Sequence, residues 1–237
     1  NSIKNALSNK NIFFTEGFMY RHLPHIKKLK EILENNILGN LIKIESNFNI
    51  RVFKQKNFLG IKFKKPDYSN RLFNKELGGG AILDVGCYPL SLSTLANSLS
   101  YNVDLSNIRL ENVKTLHCEG KVDIYSEAEF NFDNKFISKI VCSFKDKLNQ
   151  NSKIYFEQGL LDIQETWVPS GDMSIKMTNH NKNEMIKFKI NENIYSYQIE
   201  NISKELLNKN SKANFPAISI DEIEINTKLL EDWINYK

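Results

Sequence analysis

The segment Glu76-Leu-Gly-Gly-Gly-Ala-Ile-Leu-Asp-Val-Gly-Cys-Tyr-Pro89 holds the residues of this chain best suited to chemistry. Three adjacent glycines, Gly78 to Gly80, let a backbone come close to another group. The residues after them read as a helix, on which Asp84 and Tyr88 stand at i and i+4 and share a face. A carboxylate and a phenol then look into one pocket. Asp84 is the only charge between Ala81 and Asp104, and an isolated carboxylate in an apolar helix is costly unless it is hydrogen-bonded or open to a cleft. It is either a helix cap, stabilised by the N-terminal end of the dipole, or a site residue. Tyr88 is either a site phenol or a core aromatic whose hydroxyl finds a carbonyl.

Several elements must position these groups. Residues 11–20 form an aromatic, apolar run that predicts a strand, and Pro24 to Asn36 carries Ile26, Leu29, Ile32 and Leu33 at helical spacing. Pro24 suits the first turn, and Asn35, Asn36 and Gly39 suit the stop. Alternation of Ile42, Ile44, Phe48 and Ile50 predicts a half-buried strand over 41–50. Residues 51–77 read as a long polar excursion with one helical turn, and 81–99 as a buried helix with Pro89 at a bend. Beyond residue 105 the period changes to two. Stretches 108–118, 121–132, 136–146, 152–166, 172–179 and 184–190 read as antiparallel meander strands separated by turn residues. Two amphipathic helices, 195–209 and 220–236, close the chain, the second with Ser219 and Asp221 as cap candidates. Strand runs flanked by helices make an α+β layer.

Composition excludes some classes. With 237 residues and 41% apolar content the chain can bury a sizeable core, and its 32 basic and 28 acidic residues give a mixed surface of charge +4. The densest basic stretch, Lys54 to Lys65 with Phe53, Phe58 and Phe63 interleaved, reads as a solvated loop, since no nucleic-acid-binding signature accompanies it. No nucleic-acid partner is expected. No segment approaches the ~18 apolar residues of a membrane span, so no membrane partner is expected either. Cys87, Cys118 and Cys142 show no ligand spacing and read as reduced core thiols of a cytoplasmic protein. His22, His25, His117 and His180 likewise show no metal-ligand spacing, and no metal is expected. The first residue is Asn1, as in a fragment or a processed product.

Three segments taken in order resemble the Gfo/Idh/MocA family of oxidoreductases: EGFMYRHLPHIKKLKEILENNILGNLIKI (16–44), NRLFNKELGGGAILDVGCYPLSL (70–92) and SIDEIEINTKLLEDWI (219–234). Within it the chain is most similar to the dihydrodiol dehydrogenase and NADP-dependent xylose dehydrogenase branch. The resemblance implies an open, mostly antiparallel sheet with helices on one face, the C-terminal domain of a two-domain dehydrogenase, with the Rossmann domain absent. Residues 1–20 would be the last helix and strand of that Rossmann domain, and 21–237 the substrate and oligomerisation domain. The helix over 220–236 would return toward the nucleotide domain. The implied reaction is hydride exchange between NAD or NADP and a sugar, polyol or diol, in the cytoplasm.

Tyr88 falls at the family's proton-transfer tyrosine or histidine, and Asp84 at the aspartate one turn earlier. A phenol of pKa about 10 is a poor acid without a neighbouring cation, and the family's Glu-Lys-Pro lysine is missing from the chain, as is GxGxxG. The chain alone is therefore expected to be inactive and not to bind NAD(P) tightly. Arg71, before the glycine run, and Trp167, in TWVP, would contact substrate, while Arg21 and Glu16 would lie beside the cofactor. The same residues carry blander readings, a salt bridge from Arg21 to Glu16 and core packing for Trp167. The open sheet face implies a homodimer or tetramer. The alternative to an enzyme half is a non-catalytic dimerisation or binding module of the same fold. Two departures stand out: Arg21-His22-Leu23-Pro24 replaces Arg-Phe-His-Pro, and Phe156-Glu-Gln-Gly159 replaces the expected turn before TWVP.

Overall fold

Alternating side chains drive Leu41–Asn49 (β1) into a strand whose inward residues Ile44, Ser46 and Phe48 are buried. In a computed structural model, which describes residues 2–7, 10, 12–57, 60–63, 66–145, 150–179, 182–190 and 193–236, β1 lies inside an eight-stranded sheet. Its other strands are Ile108–His117 (β4), Asp123–Phe132 (β5), Phe136–Ser143 (β6), Ser152–Phe156 (β7), Gly159–Ile163 (β8), Met173–Asn179 (β9) and Lys182–Phe188 (β10). The order is β10-β9-β8-β7-β1-β6-β5-β4. The expected uninterrupted meander is thus corrected: β1 inserts between β6 and β7, parallel to β6 and antiparallel to β7. All other neighbours in this sheet are antiparallel.

The stretch 152–166 is two strands, because Phe156 pairs with Gly159 across a two-residue turn. Glu157 at that turn accepts from the backbone N–H of Asn40 at 3.1 Å, which ties the turn to the start of β1. Residues 51–77 also hold more structure than their polarity suggests. Lys54–Asn57 (β2) pairs with Gly60–Phe63 (β3), and two 3₁₀ turns, Arg71–Phe73 and Lys75–Leu77, are capped by the side chains of Asn70 and Asn74.

Helices cover one face of the sheet. Pro24–Glu34 (α2) buries Ile26, Leu29, Ile32 and Leu33, the stripe that its spacing predicts. Cys87–Ser100 (α3) lies over β1 and β6, and Ile220–Ile234 (α5) over the β4 edge, where the Trp233 Nε1–H donates to Ser126 at 2.9 Å. Ser2–Leu7 (α1) is the first helix of the chain, and Ile194–Leu207 (α4) precedes α5. Ser219 rather than Asp221 caps α5, in a reciprocal box with Glu222. The expected strand over 11–20 is not formed: residues 12–18 join no ladder, and Met19–His22 is a 3₁₀ turn. Thr15 ties this segment to α5, exchanging hydrogen bonds with the Ile218 backbone at 2.9 and 3.1 Å.

The opposite face of the sheet is polar. Glu129, Lys139, Glu45, Lys153, Asp162 and Lys176 are register partners across β5, β6, β1, β7, β8 and β9, so charge alternates in sign along one row.

Candidate active site

The glycine run is dictated by the chain's own backbone. A Cβ on Gly79 would stand 2.6 Å from the Arg71 carbonyl oxygen, and one on Gly80, whose φ is +117°, 2.2 Å from Asp123 Oδ1. The Asp123 carboxylate occupies the space that a side chain at residue 80 would take. Its Oδ2 accepts from the Ile82 N–H at 2.7 Å and so holds the start of the helix, while burial raises its pKa despite that hydrogen bond. The close approach that three glycines signal is therefore to Asp123, a residue the sequence reading did not single out. At the first position of its strand it has no neighbours whose pattern would have marked it.

The helix does not run smoothly. Ile82–Gly86 is a widened π turn, followed by α3 with Pro89 in its first turn. Proline has no N–H to return to the preceding turn, which accounts for the irregularity just before it. Gly86 lets this turn lie on the sheet, since a Cβ there would meet Cys142 Sγ at 3.1 Å and the Trp233 ring at 3.2 Å.

Asp84 and Tyr88 have different partners. Asp84 accepts from Arg71 Nη2 at 2.6 Å, so this carboxylate is an ion-pair partner and Asp123 is the cap. Tyr88 enters an aromatic box, with ring centroids 5.2 Å from Phe18, 5.9 Å from Tyr20, 5.1 Å from Phe48 and 6.3 Å from Trp167. Its hydroxyl donates to Met19 Sδ at 3.5 Å, a weak acceptor. Burial first, then the nearby Cys87, Tyr195 and Asp84, push the phenol pKa well above its ordinary value. Cys87 itself is pushed up to about 12, by burial and then by Glu16 and Asp84. Everything that shifts Tyr88 disfavours its phenolate. The group is a fixed, neutral O–H donor.

The remaining site candidates divide. Arg71 is at the site, 58% exposed on its side chain and engaged with Asp84. Trp167 is fully buried, stacked on Phe48 at 5.9 Å, with its Nε1–H donating to the Asn47 carbonyl at 2.7 Å. It supports the box from behind. Arg21 is also buried, and its partner is Glu222 of the α5 cap at 2.9 Å, not Glu16. Glu16 stands in a cleft of about 350 Å³ with Phe18, Leu83, Cys87, Asn226 and Leu230, where burial raises its pKa although its surface is open. His22 and His25 are buried, with pKa lowered to about 4 and about 3, in both cases mainly by burial. His180 and part of the Lys54–Lys65 stretch lie outside the described residues. Among those described, no group of His, Cys, Asp and Glu could hold a metal ion, and no helix is long and apolar enough to cross a membrane.

A dinucleotide needs unpaired N–H groups at a helix start, or free cations, for its pyrophosphate. Here the start of the π turn is taken by Asp123, that of α4 by Asn193 and that of α5 by its own box, while Glu222 and Asp84 hold Arg21 and Arg71. Among the described residues, these three helix starts thus do not fit a dinucleotide pyrophosphate, while the start of α2 carries no side-chain cap and Arg21 keeps its Nε and Nη1 buried without a partner.

The sequence profile described as the GFO/IDH/MocA C-terminal domain matches residues 26–162, more than half of the chain. The chain belongs to this family. Its sheet with helices on one face is the fold of that C-terminal domain. Among curated proteins it is similar to the trans-1,2-dihydrobenzene-1,2-diol dehydrogenase of Xenopus tropicalis, 29% identical over 85 residues that make up 36% of this chain and 22% of the relative. It is also similar to the D-xylose 1-dehydrogenase (NADP(+)) 2 of Haloferax volcanii, 31% identical over 81 residues, 34% of this chain and 21% of the relative. Among solved structures, the 3-ketoreductase KijD10 from Actinomadura kijaniata, in complex with NADP and TDP-benzene, superposes with TM-score 0.76 at 14% identity, covering 98% of this chain and 64% of that one. An aldose-aldose oxidoreductase from Caulobacter crescentus complexed with glycerol gives the same TM-score of 0.76 and 14% identity. At such identity the likeness is one of fold. The chain spans about a fifth of the curated relatives it matches and under two thirds of these solved chains.

Proposed function

We propose that this chain is the substrate-side half of an NAD(P)-dependent oxidoreductase acting on a CH–OH group of a sugar, polyol or diol. The observation that carries the reading is the state of Tyr88: a neutral phenol, fixed by four rings, whose O–H among the described residues rests on the thioether of Met19 alone. A substrate oxygen is a better acceptor than sulfur and would displace it. Tyr88 then donates to a carbonyl oxygen that is becoming a hydroxyl, or accepts that proton in reverse. Asp84, anchored by Arg71, accepts from a substrate hydroxyl and orients it. Polypeptide outside this chain supplies the nicotinamide site and the cation that a tyrosinate needs. Relatives support the assignment: KijD10 binds NADP and has been solved with a lysine replaced and with a tyrosine replaced.

In the full-length protein that carries this chain, Tyr88→Phe is expected to lower kcat by about 10²–10⁴. Rates unchanged by that substitution would remove Tyr88 from the mechanism. The 237-residue chain alone is expected to give no NADPH fluorescence enhancement at micromolar concentration; such enhancement would overturn the division of the site.

The polar sheet face supports a second role beside the first, as a homo-oligomer surface. Its charges alternate along one row, and Asp162 Oδ1 is buried on that face without a hydrogen-bond partner. A second copy turned by a two-fold axis sets lysines against carboxylates. Light scattering is expected to give a dimer or tetramer that dissociates as salt rises; a salt-independent monomer contradicts this.

A further inference from the structure

Helix α4 is apolar on two sides, and the chain's own core covers one of them. Ile194 and Tyr197 pack against that core, where the helix lies on the Met19–His22 turn. The other side carries Tyr195, Ile199, Ile202 and Leu206, at intervals of four, three and four residues. At about 100° per residue these four fall within about 60° of the helix circumference. Ile202 is half-buried, whereas Tyr195, Ile199 and Leu206 are 53%, 66% and 52% exposed. A helix face meant for water carries polar residues, and this stripe has none.

The interval pattern reads the same from either end. A copy of the helix laid antiparallel on it sets Tyr195 against Leu206 and Ile199 against Ile202, twice each, as a two-fold contact requires. The antiparallel sense also brings the positive end of each helix dipole beside the negative end of the other. Charge does not oppose the pairing. Of the three charged residues of α4, Glu200 and Lys204 pair with each other at 2.6 Å on the side away from the stripe. Glu205, at the edge of the stripe, comes opposite Gln198 of the second copy, whose amide can donate to it. The other edge is Ser196 and Ser203. An anionic membrane surface asks instead for lysines along such edges, and these hold none. Counting the edge residues, two copies bury about 1,000 Å² between them, the lower end for a specific contact.

We propose that α4 is a two-fold contact between copies of this chain, an antiparallel helix pair separate from the charged row of the sheet face. Two such contacts on different elements close a tetramer. The inference is independent of the chemistry of Tyr88.

Sedimentation velocity on the 237-residue chain at about 0.2 mM tells the two contacts apart by salt. At about 1 M NaCl the Debye length is about 3 Å, so the sheet-face contact is expected to be lost and the apolar α4 dimer to persist. Ile199→Asp, on the surface of α4, should turn that high-salt dimer into a monomer, while its melting temperature falls by no more than about 2 °C. Cross-linking with diamide tests the register. Tyr195→Cys mixed with Leu206→Cys should give a disulfide-linked dimer above the wild-type background. Neither variant alone should do so, since like residues stand about 16 Å apart along an antiparallel pair.

A monomer at high salt, a high-salt dimer indifferent to Ile199→Asp, or Leu206→Cys linking to itself as readily as to Tyr195→Cys overturns the proposal. A monomer that binds phosphatidylserine vesicles through Ile199 overturns it in favour of a membrane surface. Loss of the salt-labile step alone, with the high-salt dimer intact, sinks the sheet-face reading and leaves α4 standing.

Discussion

Asp123 and the absent side chain of Gly80 form one device, and three substitutions take it apart. Asp123→Asn keeps an acceptor oxygen for the Ile82 N–H, now 2.7 Å from the carboxylate, and removes a charge that burial disfavours. Its cost should be within about 1 kcal/mol. Asp123→Ala leaves that N–H without a partner beside buried Ile82, at about 1–3 kcal/mol. Gly80→Ala is worse. Its methyl would start 2.2 Å from Asp123 Oδ1 at φ +117°, so the carboxylate must leave and the backbone is strained. The lost cap and the strain, each about 1–3 kcal/mol, together give about 2–6 kcal/mol. Urea unfolding followed by circular dichroism should rank the variants in that order, with midpoints lowered by up to about 2 M. The pH dependence follows from the same carboxyl. Its folded pKa is raised, so the folded state holds the proton more tightly than the unfolded chain, and its contribution falls as pH rises from the ordinary aspartate range through the raised value. Asp123→Asn should therefore gain on the wild type as pH rises through that window. Asparagine costing as much as alanine, or Gly80→Ala costing under about 1 kcal/mol, would refute the argument.

His22 and His25 have depressed folded pKa values near 4 and 3, so the stability they contribute is complete above pH 6.5 and is lost as pH falls toward those values. Each histidine should steepen that loss by up to about 1.4 kcal/mol per pH unit, and His25→Phe should flatten it; a ring titrating near 6.5 by NMR refutes the claim. Arg21 and Glu222 should be asymmetric: Glu222→Gln strands a buried guanidinium at about 3–5 kcal/mol, whereas Arg21→Met together with Glu222→Gln recovers most of that, measured by thermal melting. Trp167→Ala should cost about 3–5 kcal/mol, and Trp167→Phe about 1–3 because the Asn47 carbonyl loses its donor. Retained melting temperature in Trp167→Ala would show that the aromatic box does not depend on it.

Local pattern carried much of this fold. The stripe Ile26, Leu29, Ile32 and Leu33 gave α2 its place, and period-two alternation gave most strands within a residue or two. What pattern could not give was order: the insertion of β1 between β6 and β7 is a long-range pairing that leaves no mark on the alternation of either neighbour. The same limit applied at the site. Helical spacing placed Asp84 and Tyr88 on one face, whereas their partners, Arg71 and Met19, differ. Arg21 was assigned by its neighbours in sequence, but its partner, Glu222, lies 201 residues away.

The electrostatics of Tyr88 bear on when its chemistry can run. Burial, Cys87, Tyr195 and Asp84 all oppose its ionisation, and the one arginine at the site answers Asp84. A phenol so placed holds its proton at neutral pH and donates it only when a cation stabilises the charge left behind. On the proposed reading that cation comes from outside the chain, with the part that holds the nicotinamide. Assembly of the site and activation of its acid are then the same event. On the same reading, the phenol in its apolar box keeps its proton until that cation arrives.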